Sequence, residues 1–326
     1  MKKKIGVITA IVTALLLLLA VILWLSVDKT DTVGICYRDS DSTENAAYRQ
    51  QLKAALTAQG FAVIEKNAGG DQAKQIGQIE ALAQEKCDVL LIEPVMSDAA
   101  AELLAVIGRT ELPAVLFDRR IDTALLEEYP QITYIGTEES QPGQLQAKMM
   151  EQLPAGGDLN GDGTVSYMLI AGPQDHQDAV RRTESFENAL LSGGLKAQQL
   201  VKEYGDHTQD SGRMLCKQQL AAFGKDIEVI VCGNDQMAAG AAQAVTDGGR
   251  TVGKDVYLLA IGGEGDVLKM VSEGKVSGTV YSDPAAKIHA ITEAVTALHN
   301  AQSAEQIQIL PYTTVTAENV KQFLDN

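Results

Sequence analysis

Residues 227–263 read IEVIVCGNDQMAAGAAQAVTDGGRTVGKDVYLLAIGG, and the fold class rests on the pattern in this stretch. A short run rich in β-branched residues ends at Asn234, a helical stretch follows, and a second apolar run begins at Asp255. Short apolar runs separated by amphipathic helical segments are typical of βαβ units. The stretch therefore predicts two parallel strands joined by a helix.

The same alternation extends in both directions along the chain. Before this stretch lie the apolar runs GICY at 34–37, FAVIEK at 61–66, DVLLIEP at 88–94, AVLFD at 114–118, TVSYMLIAG at 164–172 and QQLVKEY at 198–204. After it come SGTVYSD at 277–283, a long helix from Pro284 to about Asn300, and IQILPYTTVT at 307–316. The sequence thus predicts an α/β protein with two doubly wound parallel-sheet lobes. Ligands of such sheets lie beyond the carboxyl ends of the strands, where binding residues are expected.

Length and charge exclude several classes of protein. The 326 residues, 45% of them hydrophobic, are enough for two packed cores, because single cores stop growing near about 250–300 residues. This composition excludes a disordered chain and a small disulfide-stapled domain. The chain has 27 basic and 43 acidic residues, a formal charge of -16. Such a charge repels a phosphate backbone, so no nucleic-acid partner is expected.

The N-terminus predicts a membrane anchor. Lys2, Lys3 and Lys4 precede an uncharged apolar run from Ile5 to Val27. As a helix this run is about 34 Å long, enough to cross a hydrocarbon layer of about 30 Å. We therefore predict a cytoplasmic tip and one transmembrane helix within residues 1–31, with the remainder outside the cytoplasm by the positive-inside bias. The alternative is a cleaved signal peptide and a secreted protein.

Four cysteines, Cys36, Cys87, Cys216 and Cys232, lie in the predicted extracytoplasmic part. Two disulfides are one interpretation, although no C-x-x-C spacing is present. The other is four buried free thiols. Because the cysteines lie in or beside apolar strand and helix patterns, the second interpretation is favoured.

A calcium loop is predicted at residues 158–166, which read DLNGDGTVS. The oxygen ligands of this spacing would come from Asp158, Asn160, Asp162, the carbonyl of Thr164 and the hydroxyl of Ser166. Glycine at the sixth position allows the sharp turn. The twelfth position, where a bidentate carboxylate is expected, is Leu169, so that ligand must come from elsewhere. A saturated oxygen cage is structural rather than catalytic; the alternative is a polar turn without a metal.

The sequence around this loop resembles a known family. The stretch DLNGDGTVSYMLIAGPQDHQDAVRRTESF at 158–186 is similar to a segment of the periplasmic galactose/glucose-binding proteins, in which a calcium loop leads into a strand and a His-x-Asp motif. Further matches are YIGTEES at 134–140, IEVIVCGNDQMAAGA at 227–241 and EGKVSGTVYSD at 273–283, whereas FDRR at 117–120 is closer to the ribose-binding branch. The chain thus resembles type 1 periplasmic binding proteins of sugar transporters over nearly all of residues 32–326.

The resemblance implies an arrangement of lobes and completes the calcium site. It assigns residues 32–118 plus 284–310 to lobe 1 and residues 119–283 plus 311–326 to lobe 2, joined by three crossovers. In the family, a glutamate at the start of the strand ending in Asn-Asp is the bidentate calcium ligand. Glu228 occupies this position here.

The resemblance also implies a set of ligand-binding residues at strand ends. They are Arg38, Glu93, Asp118, Arg119, His176, Asp178, Arg182, His207, Asn234 and Ser282. A sugar hydroxyl both donates and accepts, so paired carboxylate and guanidinium groups can bind it together. The alternative for residues 176–182 is an N-capping segment with a solvated helix face.

Several positions depart from the family pattern. Glu44 and His207 stand where the family stacks the sugar between two aromatic rings, and Gly262 stands where it has an aspartate. Plain glucose or galactose is therefore not the expected ligand. Arg38 and Glu93 either pair with each other or bind a charged ligand, and the sequence leaves both open.

The resemblance predicts a membrane-anchored binding protein for a small polar ligand, a sugar or sugar derivative. The protein would close its lobes by a hinge motion and deliver the ligand to an ABC-type permease. The alternative is a ligand-sensing module for a sensor kinase or chemoreceptor, without transport. An enzyme is not predicted, since no nucleophile stands beside a base. A monomer with one structural Ca²⁺ is expected.

Overall fold

The computed structural model describes residues 30–39 and 43–324. The predicted membrane span at 5–27 and the basic tip before it lie outside these residues. Within them, every helix falls short of the length and apolarity that a membrane span needs.

The first sheet, sheet A, contains six strands. Their bounds are β1 (Thr32–Tyr37), β2 (Ala62–Asn67), β3 (Val89–Ile92), β4 (Ala114–Asp118), β5 (Ile132–Thr137) and β11 (Ile307–Leu310). Their order across the sheet is β11-β5-β4-β3-β1-β2. β1 is parallel to β2 and β3, β3 is parallel to β4, and β5 is parallel to β11.

The second sheet, sheet B, also contains six strands. Their bounds are β6 (Val165–Ala171), β7 (Ala197–Tyr204), β8 (Val229–Cys232), β9 (Tyr257–Gly262), β10 (Gly278–Ser282) and β12 (Tyr312–Thr316). Their order is β12-β10-β9-β8-β6-β7. The pairs from β7 to β10 are parallel, but β12 runs antiparallel to β10. The predicted parallel sheets are thus present, and sheet B carries one antiparallel edge strand, β12, formed by the C-terminal tail.

Helices alternate with the strands along the chain. Those of the described residues are α1 (Thr43–Ala58), α2 (Gln72–Gln84), α3 (Ala100–Thr110), α4 (Gln141–Glu151), α5 (Gln177–Ser192), α6 (Gln209–Phe223), α7 (Asp235–Asp247), α8 (Gly265–Ser272) and α9 (Pro284–His299). Short 3-10 helices lie at Thr123–Glu128, Pro154–Gly157, Gly224–Asp226 and Val320–Gln322.

The central strands are apolar along their whole length because parallel sheets in this class are covered on both faces. All four residues of β3, VLLI, are buried, and so are all four of β8, VIVC. Cys36, Cys87, Cys216 and Cys232 are free and buried. This confirms the interpretation of buried thiols rather than disulfides.

The chain packs as two compact units. Unit 1 comprises the residues up to Leu116, Ala124–Ile132 and Thr292–Ala304. Unit 2 comprises Phe117–Thr123, Thr133–Ile291 and the residues from Glu305 onward. These boundaries cut through β4 and β5, so unit membership and sheet membership differ there. The two-lobe architecture expected from the sequence is present, whereas the assignment of residues to lobes stays a prediction.

Candidate functional site

Six of the predicted ligand residues, all in unit 2, lie at or beyond the carboxyl ends of sheet B strands: His176, Asp178, Arg182, His207, Asn234 and Ser282. β6 ends at Ala171, shortly before His176, and β8 ends at Cys232, just before Asn234. Ser282 is the last residue of β10. Open parallel sheets place their ligands at such strand ends. Their roles as ligand contacts stay predictions.

The first turn of α5 carries two of these residues. His176 is the N-cap, and its Nδ1 accepts a hydrogen bond from the amide of Ala179 at 3.4 Å. Asp178 lies in the first turn, where the helix dipole favours a negative charge. Its Oδ1 is buried and has no hydrogen-bond partner among the described residues. His176 therefore caps the helix, as the N-capping alternative expected. Asp178 Oδ1 remains available to accept a hydrogen bond.

Arg182, one turn further along α5, is held by a carboxylate that the sequence reasoning missed. Its Nε and Nη2 lie 2.8 and 2.7 Å from Oε2 of Glu139. Oε1 of Glu139 accepts hydrogen bonds from the hydroxyls of Thr137 at 2.8 Å and Tyr312 at 3.0 Å. Burial alone would raise the pKa of Glu139, but the Arg182 guanidinium and these hydrogen bonds outweigh it and lower the pKa. The signal in the sequence was a pair of glutamates directly after a buried strand.

His207 lies beside His176, with ring centroids 5.4 Å apart and an interplanar angle of 81°. Its backbone has φ 70°, a left-handed conformation that is uncommon for residues other than glycine. Burial, followed by the nearby His176 and Arg182, lowers the pKa of His207 to about 4. The imidazole is therefore neutral at ordinary pH. Asn234 Nδ2 donates to the His207 carbonyl at 3.0 Å, which joins the ends of two strand–helix connections.

Asp235 is a second residue that the sequence reasoning did not single out. Its side chain is fully buried, and its Oδ2 accepts from the amides of Gly263 at 2.6 Å and Glu264 at 2.7 Å. Its Oδ1 accepts from the hydroxyl of Thr279 at 2.7 Å. A Cβ on Gly262 would lie 2.9 Å from this carboxylate, so the loop leaves no room for an aspartate there.

Asp118 and Arg119 lie where β4 ends. Asp118 has φ 61°, and its Oδ1 accepts a hydrogen bond from the Lys287 ammonium of α9. Arg119 follows and is partly buried. Lys287 was not among the predicted residues, and no motif in the sequence pointed to its pairing with Asp118.

In unit 1, Arg38 and Glu93 lie close enough to pair, and their role as ligand contacts stays a prediction. Arg38 Nε lies 3.3 Å from Glu93 Oε1, and the Arg38 amide donates to Glu93 Oε2 at 3.2 Å. Arg49, which the sequence reasoning missed, lies 3.9 Å from the same carboxylate and 4.2 Å from the centroid of the Tyr37 ring. Arg38 and Glu93 therefore pair with each other. The side chain of Glu44 lies outside the described residues.

The predicted calcium loop closes on itself through its side-chain oxygens. Asp158 accepts from the amides of Gly161 at 2.7 Å and Gly163 at 2.8 Å. Asn160 and Asp162 each accept, at 2.8 Å, from the amide two residues further on, which for Asp162 is that of Thr164. Gly161 and Gly163 have φ values of 77° and 80°, so the turn needs residues without a Cβ.

Glu228 lies against this loop, as the resemblance implied. It is 1% exposed and accepts backbone hydrogen bonds from Leu159 at 2.8 Å, Asn160 at 2.9 Å and Ser166 at 2.8 Å. Asp158, Asp162 and Glu228 form no ion pair with any basic side chain of the described residues. Across those residues, no three His, Cys, Asp or Glu side chains converge as a ready metal cluster. Calcium binding by the loop and Glu228 stays a prediction.

The sequence matches the family model described as periplasmic binding protein domain over residues 33–304. The chain belongs to this family of periplasmic binding proteins. As a member of it, the chain is a solute-binding protein and not an enzyme.

Curated relatives match along almost the whole chain. The D-galactose/methyl-galactoside binding periplasmic protein MglB of Haemophilus influenzae is 25% identical over 307 residues, which are 90% of this chain and 91% of that protein. A putative rhizopine-binding protein of Rhizobium meliloti is 25% identical over 298 residues, with 90% and 92% covered.

A solved structure shows the same fold. An ABC transporter solute binding protein from Bacillus halodurans with bound myo-inositol has a TM-score of 0.74 at 22% identity and covers 91% of this chain and 98% of its own. The type I periplasmic binding protein fold expected from the sequence is thereby confirmed.

Proposed function

We propose that the protein is a membrane-anchored extracytoplasmic binding protein that takes up a small polyhydroxylated ligand, a sugar or sugar derivative, and delivers it to an ABC-type permease. The relatives support this: one is named for D-galactose and methyl-galactoside, and another for ribose import. Relatives named for import favour transport over the sensing alternative. Anchoring by residues 5–27 and delivery by hinge closure are part of the proposal.

One observation supports the ligand site most strongly. At the start of α5, a buried carboxylate oxygen of Asp178 has no hydrogen-bond partner among the described residues. Arg182 lies four positions further along the same helix, one turn away, and its side chain is 25% exposed. An acceptor and a planar donor at this spacing suit a hydroxyl group, which donates and accepts at once. His176, the N-cap of the same helix, packs its ring against that of His207. We expect a sugar hydroxyl to bridge Asp178 and Arg182.

The calcium ion is a second part of the proposal. Asp158, Asn160, Asp162, the Thr164 carbonyl, Ser166 and Glu228 would hold it. The absence of any basic partner for the three carboxylates in the described part of the chain supports a cation at this loop. Bound there, calcium would neutralise the clustered charge and tie the loop to the start of β8.

The ligand site is tested by calorimetry on the full chain in a detergent without a sugar headgroup, against hexoses, pentoses, polyols and sugar acids. Arg182→Ala is expected to abolish binding of whichever compound the wild type binds. The same loss is expected for Asn234→Ala. The matched control is Arg213→Ala, because Arg213 pairs with Asp247 on an exposed surface, 2.6 Å away. Unchanged affinity in both site variants would contradict the proposed site.

A further inference from the structure

Glu139 is the best-anchored charged side chain near the proposed ligand residues of unit 2. It lies between β5 and α4 and is only 7% exposed. Four hydrogen bonds reach its two oxygens, two from Arg182 and one each from Thr137 and Tyr312. A buried carboxylate held this way is fixed in position and in its ionised form, because each partner donates to it.

The contacts of Arg182 divide its guanidinium into two edges. The edge carrying Nε and Nη2 faces Glu139, at 2.8 and 2.7 Å. Nη1 forms no hydrogen bond with any described residue, and the side chain remains 25% exposed. Arg182 therefore offers donors to a ligand while its positive charge is balanced from behind.

The other charged groups around Arg182 do not restore a positive charge. His207 is neutral at ordinary pH because burial lowers its pKa to about 4. Asp178 adds a negative charge near Arg182. Glu139, Arg182 and Asp178 together carry a net charge of about -1 in a chain whose formal charge is -16. An anionic ligand that reaches Arg182 would therefore meet a guanidinium already balanced by Glu139 and Asp178.

We propose that Glu139 is a specificity-determining residue, which holds Arg182 as a charge-balanced donor so that the site takes uncharged polyhydroxylated ligands and rejects sugar acids and sugar phosphates. This inference rests on the proposed function, since it needs Arg182 at the ligand. Glu139 acts through Arg182 and is a positioning residue.

The test compares matched pairs of ligands that differ by one carboxylate, such as galactose with galacturonate and glucose with glucuronate, together with myo-inositol, by calorimetry at low salt. The wild type is expected to bind the neutral partner at least about 100-fold more tightly, as an uncompensated charge in a desolvated site requires. In Glu139→Gln the preference for the neutral ligand should narrow by about tenfold or more, because the positive charge of Arg182 is no longer balanced by the Glu139 carboxylate. This difference between Glu139→Gln and the wild type should become smaller as the salt concentration rises, because salt screens the charge on the ligand.

Two variants serve as controls. Glu138→Gln removes the same charge one residue away, but Glu138 pairs with Arg120 at 2.6 Å and is 38% exposed. It is expected to keep the wild-type preference. Glu139→Asp retains the negative charge and should restore most of the preference for the neutral ligand. A merely structural role of Glu139 would weaken both ligands of a pair equally and leave their ratio unchanged.

The outcomes separate the inference from the proposed function. Binding of the acid as tightly as the neutral sugar by the wild type overturns the inference whether or not the variants fold. The inference is also overturned if the ratio of affinities for the neutral sugar and its acid is the same in Glu139→Gln as in Glu138→Gln. If no sugar or polyol binds the wild type, the proposed function fails.

In that case a measurement that needs no sugar still tests the role of Glu139. Inorganic phosphate, added at constant ionic strength, should raise the melting temperature of Glu139→Gln more than that of Glu138→Gln. Equal shifts in the two variants would contradict the inference.

Discussion

His176 and Asn234 each hold a helix end with the side chain that the resemblance assigns to a ligand. His176 Nδ1 accepts from the Ala179 amide, and Asn234 Oδ1 accepts from the Met237 amide at 3.0 Å. Side chains fixed by backbone hydrogen bonds lose little further freedom when they bind. At the scale of the residue, capping and recognition are therefore compatible uses of the same group.

His207 is expected to make the stability of the protein depend on pH. Its pKa is about 4 in the folded protein and about 6.5 in an unfolded chain. Above pH 6.5 both states are neutral and the residue contributes nothing. As the pH falls from about 6.5 to about 4, only the unfolded chain takes up the proton, so the free energy of unfolding should fall by up to about 3 kcal/mol.

Urea denaturation between pH 7 and pH 4.5 measures this effect. His207→Asn should flatten the dependence, since asparagine tolerates the left-handed backbone at this position. His289→Asn, at an exposed position of α9, is the control and should follow the wild type. Parallel curves for all three proteins would contradict the assigned environment of His207.

Helices α4 and α5 pack at an unusually close point, and this packing positions Arg182. A Cβ on Gly143 of α4 would lie 2.1 Å from the Arg182 carbonyl and 2.2 Å from the Ser185 hydroxyl. Gly143→Ala must therefore push α5 away from α4. We expect a loss of about 1–3 kcal/mol in the free energy of unfolding, together with weaker ligand binding.

Gly77 of α2 is the matched control for this element. A Cβ there would meet nothing within 4 Å. Gly77→Ala should therefore raise the free energy of unfolding by about 0.5–1 kcal/mol, the helix preference of alanine over glycine. Equal effects of the two substitutions in chemical denaturation would show that the Gly143 contact is not tight.

The loop at 158–166 and the start of β8 are expected to be joined by calcium. Saturating calcium should raise the melting temperature, since an ion at about 100 times its dissociation constant adds about 2.7 kcal/mol to the folded state. A chelator should reverse the rise, and Asp162→Ala should lose the response. Asp226→Ala removes the same charge from an exposed site, and this variant should keep the response to calcium. Identical melting curves with calcium and chelator in the wild type would contradict the prediction.

At the scale of the whole molecule, the charges are divided along the chain. The three lysines at 2–4 precede the apolar run, and the remaining 24 basic and 43 acidic residues give the rest a formal charge of -19. The full chain is expected to remain in the membrane fraction after a carbonate wash, whereas a chain beginning at residue 32 should be released. If expression of the full sequence instead yields a released product whose N-terminus lies after residue 27, that result would support signal cleavage.

Much of the fold followed from short-range patterns. The runs at 88–94 and 227–234 predicted β3 and β8 because a strand covered on both faces must be apolar throughout. The antiparallel pairing of β12 with β10 did not follow, since the tail carries no signal for the strand beside which it lies. The spacing of residues 158–166 predicted the loop, as its turns are local.

The sequence by itself determined the α/β class, the number of lobes, the burial of the cysteines and the residues at strand ends. Only the tertiary structure decided which charges neutralise one another. Glu139 and Arg182 are 43 residues apart, and Asp118 and Lys287 are 169 apart. Ion pairing depends on distances of a few ångströms, which are set by how strands and helices pack and which no spacing along the chain encodes.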